Sequence, residues 1–185
     1  MQKKLLVIKG SPNKDGVTNK VCSVAANTEN VEISVFDTYS ENIKPCYDCR
    51  KCKKTEKCVF NDLDVFFEEF ENADVLIFAS PVYNGGFSAP MKALLDRFQV
   101  YFNRFYKNGK VQPIKKKRKA ILVSASGRGA QEEFFYMKKY LERAFTVLNI
   151  TCVGGVLCEN TDASPDINKA IEEFTLLLKR SLEDE

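Results

Sequence analysis

Four of the seven cysteines fall within thirteen residues, as Cys46-x2-Cys49-x2-Cys52-x5-Cys58. Two-residue gaps let successive thiolates turn inward around one small centre, as clusters and soft metals require. A four-cysteine zinc site usually draws its ligands as two pairs separated by a longer loop. Three evenly spaced cysteines followed closely by a fourth are nearer to iron–sulfur ligation. A bacterial ferredoxin, however, would place three residues and then a proline around the fourth cysteine, where this chain has five residues and Val59. Iron–sulfur cluster, zinc, and unligated or redox-active thiols therefore all stand open. Lys44, Arg50, Lys51, Lys53, Lys54 and Lys57 outnumber Asp48 and Glu56 around the motif. That excess would stabilise thiolates or an anionic cluster. It would equally suit a solvated basic loop, or the recruitment of an acidic redox protein. Cys22, Cys152 and Cys158 lie outside the motif and read as small buried hydrophobes.

A second chemical feature is the turn Gly10-Ser11-Pro12-Asn13-Lys14-Asp15-Gly16-Val17-Thr18. Its backbone amides and the Ser11 and Thr18 hydroxyls could cradle a phosphate at a helix start. Val17-Thr18 stands where a P-loop has Lys-Ser/Thr, and the two glycines do not form Gly-x-Gly-x-x-Gly. A nucleoside triphosphatase and a standard dinucleotide fingerprint are both disfavoured, while an ordinary strand-to-helix turn stays open. There is no histidine. Ser-His and Cys-His catalysis and histidine-containing metal sites are thereby excluded.

These residues need a scaffold. Apolar runs at Leu5 to Ile8, Val31 to Phe36, Val75 to Ala79, Ala120 to Val123 and Cys152 to Leu157 have strand length, the last weakened by Gly154-Gly155. Helical patterns fall near residues 18–27, 62–71, 89–106, 131–148 and 166–181, the last opened by Ser164 as cap and Pro165 in the first turn. Such alternation predicts an α/β parallel sheet covered on both faces. Ligands then bind at the strands' carboxyl ends, which selects the loops 10–18, 80–88 and 124–130. The 185 residues read as one domain, with residues 40–61 as a cysteine-rich insertion. Along the pattern at 89–106, Leu94, Phe98, Tyr101, Phe102 and Phe105 form a stripe that core packing explains in part, a dimer face in part. Lys115 to Lys119 reads as a solvated loop. A net charge of +3 gives no case for nucleic acid, and the short apolar run near the N-terminus is no signal peptide. No apolar run reaches spanning length, so a cytoplasmic protein is expected.

Gly10-Ser11-Pro12 with Gly16 and Thr18, then Ser80-Pro81-Val82-Tyr83, then Lys92 and Leu95-Asp96-Arg97, resemble the NADPH-dependent FMN reductase branch of the flavodoxin-like superfamily. The resemblance runs from the first strand to the last helix. The cysteine spacing, placed after the second strand, is similar to that of the iron–sulfur flavoprotein family on the same fold. The resemblance implies a flavodoxin-like three-layer sandwich with strand order 2-1-3-4-5. It implies FMN with its phosphate on Ser11, Asn13, Gly16, Val17 and Thr18. The flavin ring would lie along Pro81, Val82, Tyr83, Asn84 and Gly85, with Ser124, Ser126 and Gly127 closing the far side. Asn13 and Val17 depart from the family, which often has basic and polar residues there. Asp96-Arg97 is expected to form a structural pair.

By the same resemblance Cys46, Cys49, Cys52 and Cys58 would hold a 4Fe–4S cluster that exchanges electrons with FMN. No catalytic side chain is then required, because the flavin carries the chemistry. Implied partners are a second copy of the chain, a ferredoxin, NAD(P)H and a small-molecule electron acceptor such as a quinone. Two other readings remain: a cluster-free NAD(P)H-dependent reductase with the cysteine segment as a lid, and a flavodoxin-like electron carrier without enzymatic activity.

Overall fold

A computed structural model describes residues 2–183. Five strands, β1 (Lys3–Lys9), β2 (Val31–Asp37), β3 (Val75–Pro81), β4 (Arg118–Ala125) and β5 (Ile150–Cys158), form one parallel sheet in the order β2-β1-β3-β4-β5. The inner strands β1, β3 and β4 are covered on both faces and therefore read as continuous apolar runs, whereas the edge strand β2 alternates.

Alternation along each inner strand divides the core into two layers. Leu6, Ile8, Leu76, Phe78, Ala120 and Leu122 face one side. There they meet helices α3 (Asp64–Asn72), α4 (Ala89–Asp96), α5 (Gln99–Lys107) and α6 (Gln131–Phe145). Leu5, Val7, Val75, Ile77, Ile121 and Val123 face the other, against α1 (Val17–Ser23) and α7 (Ile167–Leu182). Fully burying each of the Leu, Ile, Val and Phe side chains among these is worth roughly 1.5–3 kcal/mol. β5 persists through Gly154-Gly155, at the cost of a register shift against β4 between Ala120 and Ile121.

Three local expectations are corrected. The segment 89–106 is not one helix, because the backbone tightens where α4 meets α5. Arg97 N–H bonds to Leu94 O at 3.0 Å and Phe98 N–H to Leu95 O at 3.1 Å, a three-residue step in place of four. The bend turns Arg97 inward and sends α5 toward the cysteine insertion. The stripe splits accordingly, with Leu94, Phe98 and Tyr101 buried and Phe102 exposed. The last helix is capped by Asp166, whose carboxylate accepts the Lys169 N–H at 2.9 Å, and not by Ser164. The basic run before β4 is not wholly solvated. Arg118 is buried, stacks on Phe70 at 4.8 Å and donates to the carbonyls of Phe70 and Leu148.

Candidate functional site

β1, β3 and β4 end together, and the loops that leave them enclose a cavity of about 480 Å³. The loop after β1 is wound on itself. The Asn13 carbonyl accepts from Gly16 N–H at 3.1 Å and from Asn19 Nδ2 at 2.8 Å, while Asn13 Oδ1 accepts the Asp15 N–H. Asn13 therefore shapes the turn with the very groups a ligand would otherwise use. Gly16 caps α1 without any side-chain hydrogen bond, so the first-turn N–H groups are not taken by a capping side chain. Ser11 and Thr18 are buried beside them. Gly10 is required at the strand exit, where a Cβ would sit 3.2 Å from the Ala79 carbonyl and 3.1 Å from Met91 Cβ.

The loop after β3 is a tight hairpin. Tyr83 and Gly86 exchange backbone bonds of 2.9 and 3.0 Å around Asn84 (φ 49°) and Gly85 (φ 81°). Both central residues have positive φ, the arrangement that Asn-Gly favours in two-residue turns. Ser80 Oγ accepts the Ser88 N–H at 3.2 Å and closes the base of the loop. Pro81, Val82 and Tyr83 line the cavity, and Tyr83 is exposed to solvent.

Of the residues expected from the sequence, Ser11, Asn13, Gly16, Val17, Thr18, Pro81, Val82, Tyr83 and Gly127 line this cavity together. Asn84, Gly85, Ser124 and Ser126 do not, each for a structural reason. The first two form the hairpin tip, and Ser124 is buried beneath the cavity. Ser126 spends its backbone on Cys158 O and Thr161 N–H, both at 3.0 Å. Those bonds bring in a wall the sequence reading missed, Thr161 and Asp162 from the loop after β5. A Cβ on Gly127 would run into the Asp162 carboxylate. The strand-end rule that selected three loops selects this fourth one as well, once β5 is accepted as a strand despite its glycines.

A larger groove of about 690 Å³ lies elsewhere, lined by Val24, Val31, Leu178 and Leu182 among others. It is predominantly apolar and includes none of the strand-end loops. The strand-end cavity is the better candidate on chemistry.

Cys46, Cys49, Cys52 and Cys58 all line a second, smaller cavity of about 140 Å³, together with Arg97 and Asn103. None of them is in a disulfide. The short helix α2 (Lys51–Thr55) carries Cys52, and α5 clamps it. Arg104 Nε donates to Glu56 O at 2.8 Å, Lys107 Nζ to Lys54 O at 3.0 Å, and Asn103 Nδ2 to Cys52 Sγ at 3.0 Å. Asp48, Arg50 and Glu56 adopt φ of 52°, 59° and 59°. Left-handed backbone at non-glycine residues costs about 1–3 kcal/mol each, and here it curls the chain around the cysteines.

Arg97 anchors the same segment. Its guanidinium donates to both Asp62 oxygens and to the Lys44 carbonyl at 2.7 Å, and Cys58 lies within its reach. Burial would raise the Asp62 pKa, but the Arg97 and Lys44 hydrogen bonds outweigh it and hold the carboxyl below the usual range. Asp96 instead takes Lys92, at 2.7 Å. The expected Asp96–Arg97 pair is replaced by two ion pairs pointing opposite ways, because neighbours on a helix do not face each other.

Among the described residues no group of three or more cysteine or carboxylate side chains is arranged to hold a metal ion. Four thiols on one cavity, with nitrogen donors beside them, nevertheless match a cluster in number and kind of donor.

The profile of the NADPH-dependent FMN reductase family matches residues 3–157. An iron–sulfur flavoprotein of Methanocaldococcus jannaschii is 34% identical over 133 residues, covering 70% of this chain and 66% of that one. An iron–sulfur flavoprotein of Methanosarcina thermophila is 34% identical over 134 residues, covering 70% and 68%. The match thus spans about two thirds of the length of these relatives. Among solved structures, the NAD(P)H:quinone oxidoreductase of Methanothermobacter marburgensis superposes with a TM-score of 0.72 at 14% identity, covering 100% of this chain and 98% of that one, and shares the fold. With the family profile extending over the loops after β1, β3 and β4 and over the cysteine insertion, the chain belongs to the NADPH-dependent FMN reductase family of flavin-dependent oxidoreductases.

Proposed function

We propose that this chain is an FMN-dependent oxidoreductase of the iron–sulfur flavoprotein type, with FMN in the strand-end cavity and a 4Fe–4S cluster on Cys46, Cys49, Cys52 and Cys58. The observation that carries the cluster assignment is that all four clustered cysteines line one cavity. When bound, FMN supplies hydride and one-electron chemistry and the cluster supplies one-electron transfer.

The side chains and backbone do the rest. Ser11, Val17 and Thr18 offer hydroxyl and N–H donors to a phosphate, and Gly16, its own N–H bonded to the Asn13 carbonyl, shapes the turn before them. Asn13 keeps that loop wound. The Asn84-Gly85 turn stiffens the hairpin so that Pro81, Val82 and Tyr83 present a fixed wall to the flavin ring. Gly127, Thr161 and Asp162 close the opposite side. α4 starts one residue after this hairpin loop, and the bend at its end leads to the cysteine cavity. One helix of eight residues, about 12 Å long, thus connects the two sites. The cations around the cysteines suit an acidic one-electron donor such as ferredoxin, with NAD(P)H as the alternative donor and a small molecule such as a quinone as acceptor. Phe102 and Tyr106, exposed on α5, suit contact with a second copy.

Anaerobic purification followed by absorption spectroscopy and flavin, iron and sulfide assays tests this directly. The expected result is one FMN and about four irons per chain, with Cys49→Ala losing iron and keeping FMN. Yellow, iron-free protein from a strictly anaerobic preparation would replace the cluster reading with that of a cluster-free reductase. Absence of flavin affinity would sink both.

A further inference from the structure

Two nitrogen donors on one bent helical segment line the cysteine cavity. Asn103 of α5 donates Nδ2–H to Cys52 Sγ at 3.0 Å. Arg97, at the bend, is 1% exposed and lines the same cavity as Cys58. Its two terminal nitrogens are committed to Asp62 and the Lys44 carbonyl, while its buried Nε has no hydrogen-bond partner. Neither residue supplies a ligand atom in the four-cysteine assignment. Folding still bends a helix and buries a guanidinium to place them there. Arginine is well suited to this, because its fork can hold a carboxylate with one edge and leave another N–H for a different acceptor.

We propose that Arg97 and Asn103 set the reduction potential of the cysteine-held centre by donating to its sulfurs. The inference rests on the cluster assignment made above. One electron, taken from a low-potential one-electron reductant, would make the centre together with its four thiolate ligands one charge more negative, and no proton need accompany it. Hydrogen bonds to sulfur and nearby positive charge favour that extra charge, so they raise the potential. The two residues are positioning and tuning groups, and neither reacts.

The test is a dithionite titration of the anaerobically purified full chain, followed by electron paramagnetic resonance, for the native protein and for Asn103→Leu, Arg97→Met and Arg97→Lys. Asn103→Leu and Arg97→Met should each lower the reduced fraction of the centre at a fixed applied potential by tenfold or more. For a one-electron couple that is a negative shift of at least about 59 mV. Arg97→Lys, which keeps the charge and loses the fork, should fall between. The FMN midpoint and the iron content should stay at their native values. Iron-replete variants that titrate at the native midpoint would overturn the inference, as would flavin and centre shifting together. Asn103→Leu keeps the test decisive if Arg97→Met does not fold, because Asn103 is half-buried and bonds Cys52 alone among the contacts found for its side chain. Native protein without iron would remove the cluster assignment and this inference together, whereas iron-replete protein with unmoved midpoints would remove this inference only.

Discussion

Arg97 grips Asp62 through two N–H···O bonds of 3.0 and 2.8 Å, and the pair encloses the peptide of Lys44. Asp62 accepts the Lys44 N–H at 2.9 Å while Arg97 donates to the Lys44 carbonyl at 2.7 Å. Two residues later comes Cys46. An ion pair with a buried guanidinium therefore fixes the entry to the cysteine segment, where exposed side chains alone would leave it loose. Removing one partner of such a pair strands the other's charge. Asp62→Ala should destabilise the protein by about 3–5 kcal/mol, read as a lower urea midpoint. Joint replacement by Arg97→Met and Asp62→Leu should restore much of that loss.

The same pair makes stability sensitive to acid. Asp62 has a folded pKa below its ordinary value of 3.8, so the unfolded chain takes up the proton first as pH falls. Its contribution is complete above that ordinary value and is lost as pH drops through the folded value. Urea midpoints measured between about pH 6 and pH 2.5 should fall below about pH 4. The fall should be shallower in the Arg97→Met, Asp62→Leu double variant. Equal slopes in the two proteins would exclude Asp62 as a source.

Phosphate recognition by the loop after β1 predicts a specific change in flavin preference. Replacing Ser11 by Ala or Thr18 by Val removes a hydroxyl from the cavity wall. A hydrogen bond to a charged group contributes about 1.5–3 kcal/mol, so FMN affinity should drop at least tenfold. Riboflavin, which lacks the phosphate, should bind with little change. Fluorescence titration of the apoprotein with both flavins separates the outcomes, and a parallel loss for both would place the hydroxyls at the ring instead.

Much of this architecture was legible from the chain. The inner strands announce themselves as apolar runs because both faces are covered, and their order follows from the family resemblance. What escaped depended on contacts between distant residues. The stripe Leu94, Phe98, Tyr101 keeps helical spacing straight through the bend at Arg97, so periodicity could not register the break. Lys51–Thr55 lacks a buried face, which left α2 without an amphipathic signal. Asp96 and Arg97 are adjacent in sequence but choose Lys92 and Asp62, partners that only the packing of α4 against the insertion determines. Thr161 and Asp162 stayed hidden behind a strand whose glycines argued against it. Gly155 has its own physical reason, because a Cβ there would lie 2.9 Å from the Leu122 carbonyl and 2.7 Å from the Phe134 ring. Gly155→Ala should therefore cost about 1–3 kcal/mol by overpacking.

Cys22 offers a test of the opposite face of the sheet. It is buried among Leu5, Val7, Val21 and their neighbours, and burial pushes its thiol up to about 12, with Lys9 opposing only weakly. The unfolded thiol ionises near its ordinary value of 9.0. Between those two values the folded state holds a proton that the unfolded state has released, so raising the pH favours unfolding. Stability should decline above about pH 9 with a contribution approaching 1.4 kcal/mol per pH unit from this one group. Burial raises the pKa values of Cys152, Cys158 and Tyr140 as well, so the informative quantity is a difference. The urea midpoint of Cys22→Ala should start lower, because a small cavity is created, and then fall less steeply with pH than that of the native protein. Parallel curves from pH 8 to about 10.5 would mean that Cys22 reaches water without unfolding. Alkylation by iodoacetamide checks this independently, since the exposed Cys46 and Cys49 of iron-free protein should react well before Cys22 does.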